Sequence, residues 1–255
     1  MISLKTSEEI TLLRQGGKIL HHVLHTTAEQ VAPGVTTMEL NKLAEKMIFD
    51  AGGIPAFKNY GYPPFPGTLC TSVNDEVVHG IPNDKTILKE GDIVSLDIGM
   101  KYPADETGLY TDMAITVPVG EISKEAQRLI DVTRKSLEMI EDNLVLGVDW
   151  NYVAGKVQSY VESQGFGVVR SLVGHGVGHK VHEAPQLPNY SIPGCELILK
   201  EGMVLAFEPM VTKGHYNVKT LNDQWTVSTA DGELSAHFEH TFAITKDGVV
   251  VITDK

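Results

Sequence analysis

The chain contains itself twice. "GIPNDKTILKEGDIVSLDIGM", from Gly80, and "SIPGCELILKEGMVLAFEPMV", from Ser191, superpose at a constant offset of 111 residues. In that register Ile81 and Pro82 fall on Ile192 and Pro193, Ile87 to Gly91 fall on the identical Ile198 to Gly202, and Asp97 falls on Glu208. Each of the two acids ends an apolar run, "DIVSLD" or "MVLAFE", that reads as a buried strand entered through a turn at the glycine. Upstream, "GVTTMELNKLAEKMIFDAGG" and "GVDWNYVAGKVQSYVESQGF" align at an offset of 113. Thr36 and Asp149 stand where an N-cap belongs, Glu39 adds the reciprocal half of a capping box, and Gly52 and Gly165 stop the two helical patterns. A further helix precedes each of these, opened by Ser7 and by Ser123.

Each half therefore reads helix, helix, strands, which makes the chain an α+β protein. No Ser/Pro-rich linker separates the halves, about 1–120 and 121–255, so they are expected to form one domain over 1–255. Duplicated halves of this kind pack their sheets side by side, with helices outside and a cleft at the pseudo-twofold. Corresponding acids then meet across that cleft.

The bulk numbers narrow the partners. A chain of 255 residues, 42% hydrophobic, can bury a sizeable core. With 21 basic residues against 33 acidic ones and a net charge of −12, it offers no clustered Lys and Arg for a nucleic acid, and its acidic balance suits concentrating cations. Cys70 and Cys195 make no disulfide framework in a chain this long, "MISLKTSEEI" lacks the apolar core of a signal peptide, and no run approaches 18 apolar residues. A soluble cytoplasmic protein with no membrane partner is the expectation.

Further acids follow each acid-bearing strand. In the second half it is Glu239, in "FEHTFAIT"; in the first half the candidates are Asp105, Glu106 and Asp112. Asp112 is preferred because "AIT" follows both it and Glu239, although the spacing differs by two residues; Asp105 and Glu106, beside Pro103, read as solvated hairpin acids. Four carboxylates on strands of Val, Ile, Leu and Phe repel one another and lose hydration unless cations neutralise them. Two divalent ions balance the charge. The stretch "GHGVGHKVHEAP", residues 174–185, offers histidines on a backbone bare enough for close approach, and one of them would complete the set. Oxygen-rich ligation with one imidazole suits Mn, Fe, Co or Zn, with a bridging water sharpened into hydroxide between metals about 3.5–4 Å apart.

The set "NDEVVHGIP", "LDIG", "GHGVGHKVHE", "FEPM" and "FEHT", in this order and over essentially the whole chain, resembles the type I methionine aminopeptidases. That resemblance implies the pita-bread fold and a metal-ligand set of Asp97, Asp112, His175, Glu208 and Glu239. It implies two divalent ions, with Glu208 as the proton shuttle and His79 and His182 as catalytic, substrate-binding side chains. His182 would donate to the carbonyl oxygen, and His79 would hold the amide or leaving side. A methionine pocket from Tyr62, Cys70 and Trp225 is implied as well, while Tyr60 and Phe65 read equally well as core or loop packing. The implied activity is removal of the N-terminal methionine from peptides and nascent polypeptides whose second residue is small, by a monomer in transient proximity to the ribosome. The segment from Asp97 to Asp112 is longer than usual in that family, and His179 stands where a basic residue is common. Two competing functions share the fold: prolidase-like X-Pro cleavage, which normally brings a separate N-terminal domain, and a non-catalytic binding relative, against which the full ligand set argues.

Overall fold

The computed structural model of the chain describes residues 2–255. Both helices of the first half begin on a threonine whose hydroxyl accepts from the third helical N–H while a glutamate reaches back to the cap. For α1 (Ser7–Ala28) the pair is Thr6 and Glu9, and for α2 (Thr37–Asp50) it is Thr36 and Glu39. The helix opens at Ser7 as expected, and its cap is Thr6, because only Thr6 has a glutamate at the spacing that closes the box. Strands β1 (Ile54–Pro55), β2 (Leu69–Val73), β3 (Glu76–Val78), β4 (Ile93–Tyr102) and β5 (Leu109–Pro118) follow.

The second half repeats the plan with α3 (Lys124–Asn143), capped by Ser123, and α4 (Trp150–Ser163), capped by Asp149. Its strands are β6 (Gly167–Val168), β7 (Gly174–Gly176), β8 (Glu183–Leu187), β9 (Val204–Phe207) and β10 (Met210–Thr212), then β11 (Val218–Thr220), β12 (Val227–Thr229), β13 (Ser235–His237), β14 (His240–Thr245) and β15 (Gly248–Val251). After α2 and α4 the chain turns at Gly52 and Gly165, with φ of 80° and 82°, a conformation that costs a side-chain-bearing residue and not glycine.

The repeat is a true structural symmetry. Thr36 bridges to Ile87 in the first half and Asp149 to Ile198 in the second, so each second helix is pinned by its cap to the strand entrance that follows. In the first half β4 pairs antiparallel with β5, and in the second β9 pairs with β14. Gly91 N donates to Val119 O at 3.0 Å and Gly202 N to Ile244 O at 2.9 Å, which sets β5 on β14 at an offset of 125. That register corrects the equivalence drawn from "AIT", which would need an offset of 129. Hydrogen bonds along the strands fix the correspondence, and the tripeptide match is a coincidence of apolar composition. Asp112 therefore corresponds to His237, and Ala114 to Glu239.

Ala114 and Glu239 also pair with each other: Ala114 N donates to Glu239 O at 3.3 Å and Glu239 N to Ala114 O at 2.8 Å. A residue bonded to its own counterpart marks the pseudo-twofold axis. Flanking it are two copies of one motif. Thr241 Oγ1 accepts from Asp112 N at 3.0 Å and donates to Asp112 O at 2.8 Å, while Thr116 Oγ1 accepts from His237 N and donates to His237 O, both at 2.8 Å. The sheets of the two halves are thereby joined edge to edge, and one apolar cluster runs beneath both, from Leu24 and Ile48 through Leu96 to Trp150, Leu205 and Phe242. No helix among the described residues is long and apolar enough to cross a membrane.

Candidate metal centre

The cleft at the axis measures about 690 Å³. Five side chains from both halves line it: Asp97 from β4, Asp112 from β5, His175 from β7, Glu208 just past β9, and Glu239 just before β14. Alternation along β4 and β5 sends Asp97 and Asp112 to the same side of the sheet junction as Glu239, since a strand presents every second residue to one face. Ligand atoms of Asp97, Asp112 and Glu239 lie within 4.8 Å of one another, and so do those of His175, Glu208 and Glu239, and of Asp112, His175 and His182. His175 Nε2 stands 3.5 Å from Glu208 Oε1 and 3.9 Å from Asp112 Oδ2. Asp105, by contrast, is exposed on the hairpin between β4 and β5, where it binds the Thr107 backbone and hydroxyl, and Glu106 is exposed beside it.

Burial pushes the Asp97 carboxyl up to about 7, and burial together with neighbouring like charge pushes Asp112, Glu208 and Glu239 well above the ordinary carboxylate range. Burial also drives His79 and His175 down to about 4 and His237 to about 3, so these imidazoles stay neutral and available as ligands or donors. Asp97 Oδ1, Glu239 Oε1 and both ring nitrogens of His237 are buried without a hydrogen-bond partner. Buried carboxylate oxygens without a partner are costly unless a cation answers them. Carboxylate and imidazole donors converging at these separations fit divalent metal ions.

Around the acids stand further groups that line the cleft. His182 Nδ1 and the Tyr60 hydroxyl share a hydrogen bond of 2.7 Å, and the His182 ring lies 4.3 Å from that of His175. His79 sits at φ 59°, a left-handed conformation rare outside glycine and held here at a functional cleft, with its ring edge-on to Trp225 at 5.9 Å. Phe57, Phe65, Cys70 and Trp225 form an apolar wall beside them, and Trp225 Nε1 donates to Pro63 O at 2.9 Å, which fixes the indole. Burial raises the Cys70 thiol well above its usual value, so it remains a neutral, soft surface.

Tyr62 does not line this wall and is a correction to the expectation: it is 98% exposed. Asn59 N donates to Phe65 O and Phe65 N to Tyr60 O, both at 2.8 Å, closing a loop that turns Tyr60 and Phe65 inward and leaves Tyr62 at the outer tip. Tyr60 and Phe65, which read equally well as packing, thus face the cleft. The loop bearing His182 is braced from outside by the N-terminal segment. Lys5 Nζ pairs with Glu183 Oε2 at 2.6 Å, both side chains being buried, and His179 is held between Ser3 and Glu9. His179 is thereby a structural residue. Sequence reasoning missed two groups, His237 and Lys5, and only His237 left a signal, its place two residues before Glu239.

Comparison with known proteins agrees with this geometry. The model of metallopeptidase family M24 matches residues 11–246. A methionine aminopeptidase of Clostridium perfringens is 48% identical over 254 residues, covering 99% of each chain. The crystal structure of methionine aminopeptidase from Thermotoga maritima superposes with a TM-score of 0.94 at 40% identity, covering the whole of both chains. The prolidase of Pyrococcus furiosus shares the fold, with a TM-score of 0.76 at 20% identity, and this chain spans 65% of its length. The chain is a member of metallopeptidase family M24 and, within it, of the methionine aminopeptidases.

Proposed function

We propose that this protein removes the N-terminal methionine from peptides and nascent polypeptides whose second residue is small. What carries the reading is the meeting of an apolar slot with converging carboxylate and imidazole ligands at the pseudo-twofold axis. Asp97, Asp112, His175, Glu208 and Glu239 are assigned as ligands of two divalent ions, Mn, Fe, Co or Zn. Bound there, the ions would polarise the scissile carbonyl and lower the pKa of water at neutral pH.

The rest falls to the side chains. Glu208, flanked by His175 on one oxygen, takes a proton from the attacking water and passes it to the leaving nitrogen. His182, steadied by Tyr60, donates to the carbonyl oxygen as it gains charge, and His79 holds the leaving side. Phe65, Cys70 and Trp225 receive the methionine side chain, whose sulfur packs well against aromatic edges. The residue after methionine lies between His79 and the His175 to His182 ribbon, where only a small side chain leaves the attack geometry intact. The whole chain works as one catalytic unit, a monomer, in the cytoplasm and in transient proximity to the ribosome, where nascent chains emerge.

The test is kcat/KM across a Met-X-Ser series, with Ala-Pro and acetylated Met-Ala-Ser alongside. Gly, Ala, Ser, Cys, Thr, Pro and Val at X are expected to be processed, and Leu, Lys, Glu and Phe to be slow. A flat profile, cleavage of the acetylated peptide, or preference for Ala-Pro would reject the reading.

A further inference from the structure

Three histidines serve the reaction above; a fourth lies deeper than any of them and is given nothing to do. His237 is 1% exposed, and neither of its ring nitrogens has a hydrogen-bond partner. Its backbone is clamped on both sides by the Thr116 hydroxyl, which fixes the strand position from which the ring projects. Nε2 stands 3.7 Å from Glu208 Oε2 and 3.9 Å from Glu239 Oε2. Glu208 is therefore bracketed, with the His175 imidazole facing one carboxylate oxygen and His237 facing the other.

Two roles could explain an imidazole placed there, and the geometry separates them. A ligand's nitrogen must close on a common point with other ligand atoms. Among the described residues the sets that do so draw on Asp97, Asp112, His175, His182, Glu208 and Glu239, and not on His237. A donor needs only an N–H aimed at acceptors. A carboxylate has acceptors alone, whereas a neutral imidazole carries one N–H. Catalytic hydrogen bonds are commonly loose before substrate arrives and tighten in the complex. We propose that His237 is a positioning residue: its Nε2–H donates to the free oxygen of Glu208, and holds that carboxylate in the orientation from which it shuttles the proton. The pseudo-symmetry makes this a change of employment at one strand position, since the counterpart of His237 in the first half is the ligand Asp112.

This rests on the metal-centre reading, and the experiment keeps the two apart. Uniformly ¹⁵N-labelled protein is followed by imidazole NMR in the metal-free state and after titration with zinc, which is diamagnetic. The expected result is that the Nε2–H of His237 survives saturation while Nε2 of His175 shifts as a ligand. Loss of the His237 Nε2 proton on loading would overturn the proposal in favour of ligation. In parallel, zinc stoichiometry and the pH profile of kcat are compared for His237→Gln, which keeps an N–H donor of similar reach, and His237→Leu, which has none. His237→Leu should keep its metal yet lose about 10–100-fold in kcat, the usual cost of an outer partner, with a displaced pH profile and KM little changed. His237→Gln should recover most of that loss. Equal impairment of both variants, or an unchanged pH profile in His237→Leu, would refute donation. Should either variant fail to fold, the NMR result on the parent protein decides alone. A parent protein that takes up no zinc would sink the metal-centre reading and this proposal with it.

Discussion

The β4–β5 pair of the first half and the β9–β14 pair of the second are the same hydrogen-bonded object with different chemistry written on it. Position for position, Asp97 corresponds to Glu208, Asp112 to His237, and Ala114 to Glu239. Symmetry of the backbone thus fixes where a side chain can reach the cleft and leaves its identity free. The difference is greatest at the axis, where the two Cβ atoms point into one shared space. A carboxylate on each would crowd that space and set two like charges against each other without solvent. A methyl on one side and a carboxylate on the other solves both problems.

The hardest blow to this comparison comes from the axis itself. Glu239→Ala and Asp112→Asn should each abolish turnover and lower metal stoichiometry, a larger effect than the roughly 10–100-fold expected of an outer partner, whereas Asp105→Asn should do neither. Moving the acid across the axis, in the double variant Ala114→Glu with Glu239→Ala, should regain part of the metal uptake that Glu239→Ala loses. Metal analysis of dialysed protein checks both, and recovery of nothing by the swap would mean that the halves are less equivalent than their hydrogen bonds.

Next in size is the division of labour within one ribbon. His182→Ala should lower kcat by about 10²–10³ with metal content retained, as for loss of an oxyanion donor, while His175→Ala should weaken metal binding itself. Equal metal loss in the two variants would show that both are ligands.

A smaller effect is thermal. In the metal-free protein the four raised carboxyls hold protons that the unfolded chain gives up near its ordinary values, so their stabilisation is complete at low pH and is lost as pH rises through their folded values, about 7 for Asp97. The neutral buried histidines act in the opposite sense, but only below their unfolded value of about 6.5. Between pH 6.5 and 8 the Tm of metal-free protein should therefore fall, by about 3–5 °C per pH unit for each proton released on unfolding. Zinc or manganese should flatten that slope. A metal-free Tm that climbs over this range would contradict the burial of the acids.

The smallest effect separates two neighbours on one loop. Tyr60→Phe removes the hydroxyl bonded to His182 and should cost about 3–10-fold in kcat, in line with a single hydrogen bond, and Tyr62→Ala should leave kcat unchanged. The reverse order would place Tyr62 over the substrate during turnover.

Much of this was legible beforehand because repeats and strand-end acids leave marks in one dimension. The offset of 111 residues located Asp97 and Glu208 together, and the capping signals at Thr36 and Asp149 located the helices that carry the strand entrances. Illegible was whatever depends on register between strands. The tripeptide "AIT" suggested one pairing of β5 with β14, while the Gly91 and Gly202 hydrogen bonds impose another, four residues away, and only the latter exposes the kinship of Asp112 with His237. Loop direction was equally hidden: Tyr60, Tyr62 and Phe65 are all aromatic, and the two backbone bonds that turn one outward involve no side chain at all. The brace from Lys5 to Glu183 joins residues 178 apart with nothing in either local pattern to announce it.

The pairing of Ala114 with Glu239 has a genealogical consequence. Two identical half-chains, meeting as a dimer, would present the same residue from both sides of their axis and could offer either two axial acids or none. A single axial carboxylate can be encoded only where the two copies are written separately and can mutate apart. Divergence of the halves is thus a precondition of this cleft as it stands, and no half of the sequence pairing with an identical copy of itself, however stable, could reproduce it.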